Sequence, residues 1–222
     1  MDLFVDQFVN GIGVGVVYAS VALALVLIYR TTGLLNFAQG EMALFSTFVT
    51  WWLTDQGVGI VQAIIISMAL ALVGGAVIER VIIRPVEGPH NELNVVIVTL
   101  GLFLAFNALA QLIFIKPGQE ALQMPSPFPS GDLGGIRKST LGLAGVLVLE
   151  CLLLWLLLQK TRLGLALRAV ASNQESSRLV GISTGRMLMV GWALAAALGA
   201  LAGALVASRN TGVDAAVMQQ VL

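Results

Sequence analysis

The sequence predicts an all-α protein that crosses a membrane about six times. Of its 222 residues, 58% are hydrophobic and 11% are charged, whereas soluble domains carry about 25% charged residues. This deficit of charged residues extends over the whole length of the chain, which indicates an integral membrane protein rather than a soluble domain with an anchor. The formal net charge is zero, and this balance gives no indication of a nucleic-acid partner.

The apolar residues fall into six runs separated by polar or Gly- and Pro-rich stretches. A long run of this kind crosses about 30 Å of hydrocarbon at about 1.5 Å per helical residue. The predicted spans are residues 4–29, 29–53, 60–78, 95–115, 141–158 and 187–207. The N-terminus has two acids and no basic region, so it is predicted to be the first span and not a secretory signal.

The second run differs from the others because it is short and interrupted by glycines and polar residues. Asn36, Gln39 and Glu41 lie within it. A carboxylate at membrane depth is costly and normally faces a cavity or a polar partner. Glycine-interrupted polar segments are typical of translocation paths. We therefore predict that these three side chains line a substrate path; the alternative is an interfacial turn with Glu41 at headgroup depth.

Two further runs carry polar groups at membrane depth. Asn107 and Gln111 are four residues apart and share one helix face, so they either line the same path or bond a neighbouring helix. Glu150 lies near the middle of the fifth run. It is either a functional carboxylate or the acceptor of an internal hydrogen bond.

Small residues predict where helices pack closely. Gly11 and Gly15 in the first run, and Gly199 and Gly203 in the sixth, have the GxxxG spacing of close-packed membrane helices. For the first pair, the simple abundance of glycine in membrane helices is an equal explanation. The sixth run is also rich in alanine, so we expect it to lie inside a bundle.

The stretch 159–186 is the most basic part of the chain, and basic loops mark the cytoplasmic side of a membrane. Ser172 and Glu175 have the spacing of a capping box that opens a short helix at Asn173. Gly181 lies where a glycine would end that helix. The segment is predicted to be either a plain connection or a docking helix for a cytosolic partner. Its basic residues are Lys160, Arg162, Arg168, Arg178 and Arg186.

The basic residues also predict the orientation. Eight of the twelve Lys and Arg residues lie after the first, third and fifth runs, so these connections are assigned to the cytosol and the N-terminus to the outside. The Pro- and Gly-rich stretch 116–140 then faces outward as an extended surface loop.

Several function classes are excluded by composition. Cys151 and His90 are the only cysteine and histidine, so neither a disulfide framework nor a His/Cys metal cluster is available. His90 lies in a polar loop, so a membrane-buried serine has no histidine base. The chain contains no GxxxxGK[ST] motif, so any ATP dependence must come from a partner. No cofactor is predicted.

Three stretches together resemble one family. They are GLLNFAQGEMALF at 33–45, ERVIIRPVEG at 79–88 and TRLGLALRAVASNQESSRLVGIS at 161–183. In this order they resemble the membrane permease subunit of bacterial branched-chain amino acid ABC importers. The third stretch is the most specific. Its matching positions are Arg162, Gly164, Arg168, Ala169, Asn173, Leu179, Gly181 and Ile182.

The resemblance implies a transport subunit, not an enzyme, in the bacterial inner (plasma) membrane. Its expected partners are two cytosolic ABC ATPase subunits, a second permease subunit and an extracytoplasmic substrate-binding protein, within a lipid bilayer. Residues 1–222 would form a single permease domain. Family members continue past the position of Leu222, so the resemblance predicts that the C-terminal spans are missing. The segment 159–186 would couple the permease to the ATPase. The candidate coupling residues are Arg168, Asn173, Glu175, Leu179, Gly181 and Ile182.

The residues alone leave the substrate open. A path lined by amides and one carboxylate suits an amino acid, but also an amide, urea or a sugar. Related permeases for urea and short amides carry similar stretches. A secondary transporter is the more distant alternative. It would use Glu41 and Glu150 as proton carriers and should contain an inverted repeat, and no such repeat is visible in the sequence.

Overall fold

The computed structural model describes residues 2–33, 35–86, 92–115, 122–129, 131–133 and 136–209. The α-helices in this part of the chain are α1 Asp2–Thr32, α2 Gln39–Asp55, α3 Ile60–Ile78, α4 Glu92–Phe114, α5 Lys138–Lys160, α6 Arg162–Ser172, α7 Gln174–Leu179 and α8 Thr184–Arg209. An antiparallel pair of two-residue strands, β1 Asp132–Leu133 and β2 Ile136–Arg137, precedes α5. His90 and the tail 210–222 lie outside the described residues.

The predicted all-α, polytopic membrane fold is confirmed. Among the described residues, five helical segments are long and apolar enough to cross a membrane: Gln7–Thr32, Ile60–Ile83, Leu93–Phe114, Lys138–Lys160 and Thr184–Arg209. The second predicted span is the shorter helix α2, whose 17 residues extend about 25 Å at about 1.5 Å per residue. It begins at Gln39, after a non-helical stretch that contains Asn36. The predicted interruption is therefore found before Gln39, whereas Gln39 and Glu41 are helical and residues 29–32 belong to α1.

The end of the third span differs from the prediction. The third span is predicted to end at residue 78, but a π-helical turn, Glu79–Ile83, continues α3 without a break. Glu79 is fully buried and ion-paired with Arg84. Because its charge has a partner inside the protein, the carboxylate does not have to leave the helix to reach water.

Helix α8 is the centre of the bundle and packs against α1, α2 and α3. Its small residues make this possible. A methyl group on Gly199 would lie 2.6 Å from Nε2 of Gln39, and one on Gly203 would lie 2.9 Å from the carbonyl oxygen of Ala43. The predicted close packing at the Gly199/Gly203 pair is therefore confirmed.

Helix α3 approaches α8 through a glycine of its own. A methyl group on Gly75 would lie 2.7 Å from both the carbonyl oxygen of Trp192 and the Cβ atom of Ala196. Such distances are far below van der Waals contact, so only glycine allows the two backbones to come this close.

Pairs of neighbouring residues give the helix directions. Gly13 of α1 lies beside Arg209, and Thr31 lies beside Gly191, so α1 and α8 are antiparallel. Gln39 of α2 lies beside Gly199, and Ala43 lies beside Gly203, so α2 and α8 are parallel. The directions of α1 and α2 therefore alternate, as consecutive spans must.

The other predicted glycine pair makes no close contact with the described residues. Gly11 and Gly15 are exposed, and nothing in the described part of the chain lies within 4 Å of a methyl group built on either. The close approach is made instead by Gly13, which faces Arg209 and Thr140. Residues two apart on a helix point about 200° from one another, so the glycine pair lies on the face opposite this contact.

Candidate functional site

The non-helical stretch before α2 is set by Asn36. Its Oδ1 accepts a hydrogen bond from the backbone amide of Ala38 at 3.0 Å, which is a local turn typical of asparagine. Its Nδ2 donates to Oε1 of Gln39 at 3.3 Å, and Nε2 of Gln39 donates to the carbonyl oxygen of Ala195 at 2.9 Å. Both amide side chains are buried. They fasten the beginning of α2 to α8.

Glu41 faces a different helix. Its fully buried carboxylate accepts a hydrogen bond from Nδ2 of Asn107 at 3.0 Å, and Oδ1 of Asn107 accepts one from Nε2 of Gln111 at 2.5 Å. We call Glu41, Asn107 and Gln111 the polar row. With its Nδ2 bound to Glu41, the amide of Asn107 presents its oxygen to Gln111, so the two bonds run in the same direction. The row runs from inside the bundle to Gln111, which is exposed on α4.

The five predicted path residues therefore form two groups. Asn36 and Gln39 bond α2 to α8, whereas the polar row joins α2 to α4. Gln39 and Glu41 are two positions apart on α2, and a helix turns their side chains about 200° from each other. Their closeness along the chain predicted a single group, but the helix directs the two side chains to different neighbours.

A partly open cavity of about 130 Å³ lies between α2, α3, α4 and α8. No residue of the polar row lines it, but its lining includes Met42 and Phe106, which adjoin Glu41 and Asn107 in the chain, together with Phe45. The hydroxyl of Ser67 also lines it but donates to the carbonyl oxygen of Ser46 at 2.6 Å, so the cavity is essentially apolar. The sequence analysis found no feature in the third span. The neighbouring glycines 74 and 75, which line the cavity, were the available signal.

Glu150 is buried between α5 and α1. The hydroxyl of Ser20 donates to its Oε2 at 2.6 Å, and Oε1 has no hydrogen-bond partner in the described part of the chain. The contact corresponds to the internal hydrogen bond that was the alternative to a functional role. Glu150 does not join the polar row.

The segment 159–186 contains a helix that the sequence analysis missed. Helix α6 begins after Thr161, whose Oγ1 accepts a hydrogen bond from the backbone amide of Gly164 at 3.0 Å. Leu167 and Val170 on this helix are buried, and α6 lies against α5, α1 and α8. The signal was a threonine cap followed by apolar residues at helical spacing.

Helix α7 begins at a different cap from the predicted one. Asn173, not Ser172, is the N-cap, and its Oδ1 accepts a hydrogen bond from the amide of Ser176 at 2.8 Å. Ser172 is the last residue of α6, so its backbone is helical and unsuited to an N-cap position. The predicted Ser172/Glu175 capping box is therefore wrong. Glu175 lies in the first turn of α7, where a negative charge favours the helix dipole.

The predicted end of this helix is found at Gly181. Its φ angle is +84°, a left-handed conformation that favours glycine. The amide of Gly181 bonds the carbonyl of Arg178 at 3.0 Å, and the amide of Ile182 bonds that of Ser177 at 2.9 Å. This pair of bonds is a Schellman motif. Helix α7 is thus short but fixed at both ends.

The far end of α7 exposes apolar surface. Leu179 is 88% exposed and Val180 is 75% exposed, while Ile182 is half-buried. Arg168 is exposed on α6, where it donates to the side chain of Gln159 at 3.0 Å. Rigid, exposed apolar side chains beside charged ones are typical of a protein–protein contact.

Membrane-length helices around buried polar groups, with short capped helices between two spans, are the architecture of a polytopic membrane protein. The chain belongs to the family described as the permease component of the branched-chain amino acid transport system, whose model matches residues 7–222.

Individual relatives agree with this assignment. The high-affinity branched-chain amino acid transport system permease protein LivH of Escherichia coli (strain K12) is 28% identical over 223 residues, covering 91% of this chain and 70% of LivH. The corresponding protein BraD of Pseudomonas aeruginosa is 27% identical over 218 residues, with the same coverage. The fructose import permease protein FruF of Bifidobacterium longum is 25% identical over 206 residues, covering 89% of this chain and 54% of FruF. No solved structure matches the chain.

Membership of this family establishes the broad function. The chain is a multi-pass membrane permease subunit of an ABC importer and not an enzyme, because its relatives are transport permeases and ATP hydrolysis lies in a separate subunit. Permeases of this kind work with ATPase and binding-protein components.

Proposed function

We propose that this chain passes branched-chain amino acids across the bacterial inner membrane. It would do so in a complex with two cytosolic ATPase subunits, a second permease subunit and an extracytoplasmic binding protein. The observation that carries this proposal is the match of the branched-chain permease family to residues 7–222, together with the names of LivH and BraD. The likeness to FruF favours a second candidate, a monosaccharide.

The proposed orientation has the N-terminus outside and the segment 159–186 in the cytosol. The asymmetry of the basic residues supports it. The antiparallel contacts of α1 with α8 agree with alternating spans, since Gly13 and Arg209 share one end and Thr31 and Gly191 lie towards the other. Helix α7 would then face the ATPases.

The proposed path lies along α2 and α4. The polar row supplies a carboxylate and two amides, and the apolar cavity of about 130 Å³ lies beside it. An apolar cavity of about 150 Å³ in another protein accepts benzene, so the volume suits a small aliphatic group. A solute with one charged end and one aliphatic end would find complementary groups on these neighbouring surfaces.

The proposed ATPase contact is helix α7. A permease without its own nucleotide site must receive its conformational bias from the ATPase through a rigid contact. The cap at Asn173 and the Schellman motif at Gly181 supply that rigidity. The exposed side chains of Leu179 and Val180 supply the apolar surface for a cleft on the partner.

The test is uptake by the complete system in a strain that lacks its own transporters for these solutes. We expect accumulation of radiolabelled leucine, isoleucine and valine that requires ATP and the binding protein. Fructose and urea serve as parallel substrates. Uptake of fructose or urea without any leucine uptake would overturn the proposed substrate. Uptake that continues without the ATPase subunits would overturn the importer mechanism.

A further inference from the structure

An ion pair with a buried carboxylate, outside the polar row, lies at the end of α3. Glu79 is fully buried, and the guanidinium of Arg84 donates to both of its carboxylate oxygens, from Nε at 3.0 Å and from Nη2 at 2.7 Å. The Nη2–Oε2 contact is an ion pair. A two-bond contact of this kind fixes the plane of the guanidinium as well as its position.

The π-helical turn makes this pair possible. In an α-helix, residues five apart point about 140° from one another. In the turn Glu79–Ile83, the amide of Arg84 bonds the carbonyl of Glu79 at 2.8 Å, so the two residues lie on the same face. Pro85 follows and cannot continue the helical hydrogen bonds. Single π-helical turns of this kind are frequent at functional sites.

Arg84 also reaches α8. Its Nη2 donates to the carbonyl oxygen of Gly185, in the first turn of α8, at 2.5 Å. A methyl group on Gly185 would lie 3.2 Å from Cζ of Arg84, so the missing side chain lets the guanidinium lie against the backbone. In the described residues, no other side-chain hydrogen bond joins α3 or its π-helical turn to α8.

Helix α7 is bonded to the same place. Nε of Arg178, on α7, donates to Oγ1 of Thr184 at 3.0 Å, and Thr184 immediately precedes Gly185. A continuous set of bonds therefore leads from α7 through Thr184 and Gly185 to Arg84 and α3. Further into the bundle, α3 and α8 are held together by apolar contact at Gly75.

We propose that Arg84 is a positioning residue that fastens α3 to the first turn of α8, so that a displacement of α7 moves both helices together. This inference rests on the proposed role of α7 as the ATPase contact. Coupling between two sites requires an element that both sites bias, and the α3–α8 pair meets the condition. It is bonded to α7 at one end and lines the apolar cavity beside the polar row.

The experiment compares variants in the complete complex, reconstituted in proteoliposomes with the ATPases and the binding protein. Arg84→Gln removes both connections, but it leaves Glu79 buried without a charge partner and threatens folding. Gly185→Val is the second variant, since it keeps the ion pair and pushes the guanidinium away from the carbonyl of Gly185. Arg80→Gln is the matched control, because Arg80 lies on the same π-helical turn but is exposed.

We expect Gly185→Val to keep the ATPases co-purifying while the solute imported per ATP hydrolysed falls at least about fivefold, the lower end of typical coupling between sites. Arg84→Gln, where it folds, should do the same, and Arg80→Gln should match wild type. A wild-type ratio in Gly185→Val would overturn the inference. Loss of the ATPases from this variant would also overturn it, because Arg84 would then act on docking. Failure of the wild-type complex to import solute with ATP would instead overturn the proposed function.

Discussion

Nδ2 of Asn107 donates a hydrogen bond to Oε2 of Glu41 at 3.0 Å, joining α4 to α2 inside the bundle. In a membrane such side-chain bonds contribute roughly 0.6 kcal/mol each, up to about 1.7 kcal/mol. Losing this bond should therefore leave the bundle folded. Loss of the bond should have a larger effect on transport, because we propose that the substrate path runs along this pair.

The first prediction concerns this carboxylate. Glu41→Ala removes the acceptor of the polar row, and we expect uptake per assembled complex to fall more than protein abundance. The measurement is the initial rate of uptake, normalised to purified complex. The matched control is Glu150→Gln, which changes another buried carboxylate but keeps an acceptor for Ser20. Unchanged uptake in Glu41→Ala would remove Glu41 from the path.

The second prediction distinguishes the two possible caps of α7. Asn173→Ala removes the acceptor of the Ser176 amide and should destabilise α7 by about 1 kcal/mol. Ser172→Ala should have little effect, because Ser172 belongs to α6. Hydrogen exchange of the amides in α7 provides the measurement. Faster exchange in the Ser172 variant than in the Asn173 variant would contradict the structure.

These caps also illustrate what the sequence could and could not predict. The spans follow from local composition, and the stop at Gly181 follows from a property of glycine itself. Ser172 and Asn173 are both good caps, and the choice between them depends on where α6 ends. That end is set by the packing of Leu167 and Val170 against other helices, which no local pattern records.

The candidate site divides in the same way. The shared face of Asn107 and Gln111 follows from their spacing of four residues, and it was predicted. Glu41 lies opposite Asn107, whereas Gln39 turns towards α8. This difference depends on how α2 is placed between two helices that are distant in sequence. The ion pair of Glu79 and Arg84 depends on a π-helical turn, and α-helical spacing would have separated the two residues.

The third prediction concerns close packing. Gly203→Val places a side chain against Thr47 and the backbone of Ala43, and such overpacking should cost about 1–3 kcal/mol. The thermal midpoint of the detergent-solubilised protein, followed by tryptophan fluorescence, should fall. Gly11→Val is the control, because nothing lies within 4 Å of the added Cβ atom in this chain. A larger loss in the Gly11 variant would contradict the central position of α8.

The fourth prediction tests the proposed orientation. Gln123 and Ser176 are both exposed, and they lie on connections that the basic residues assign to opposite sides of the membrane. Single cysteines at these positions, in a Cys151→Ser background, should react with an impermeant thiol reagent from opposite sides. Inside-out vesicles expose the cytosolic side of the membrane to the reagent. Labelling of both positions from one side would overturn the six-span arrangement.

The last prediction concerns the exposed end of α7. Leu179 is 88% exposed and lies between the Asn173 cap and the Gly181 stop, so its side chain is held in place by a rigid helix but contacts little within this chain. Leu179→Asp would place a charge in the apolar cleft that we propose on the ATPase, and burying an unpaired charge is strongly unfavourable. The ATPase should no longer co-purify, although the permease remains folded in the membrane. Leu165→Asp is the matched control, because Leu165 is also exposed but lies on α6. If the ATPase co-purified with Leu179→Asp at normal stoichiometry and the loaded binding protein stimulated ATP hydrolysis normally, α7 would be only a plain connection between two spans.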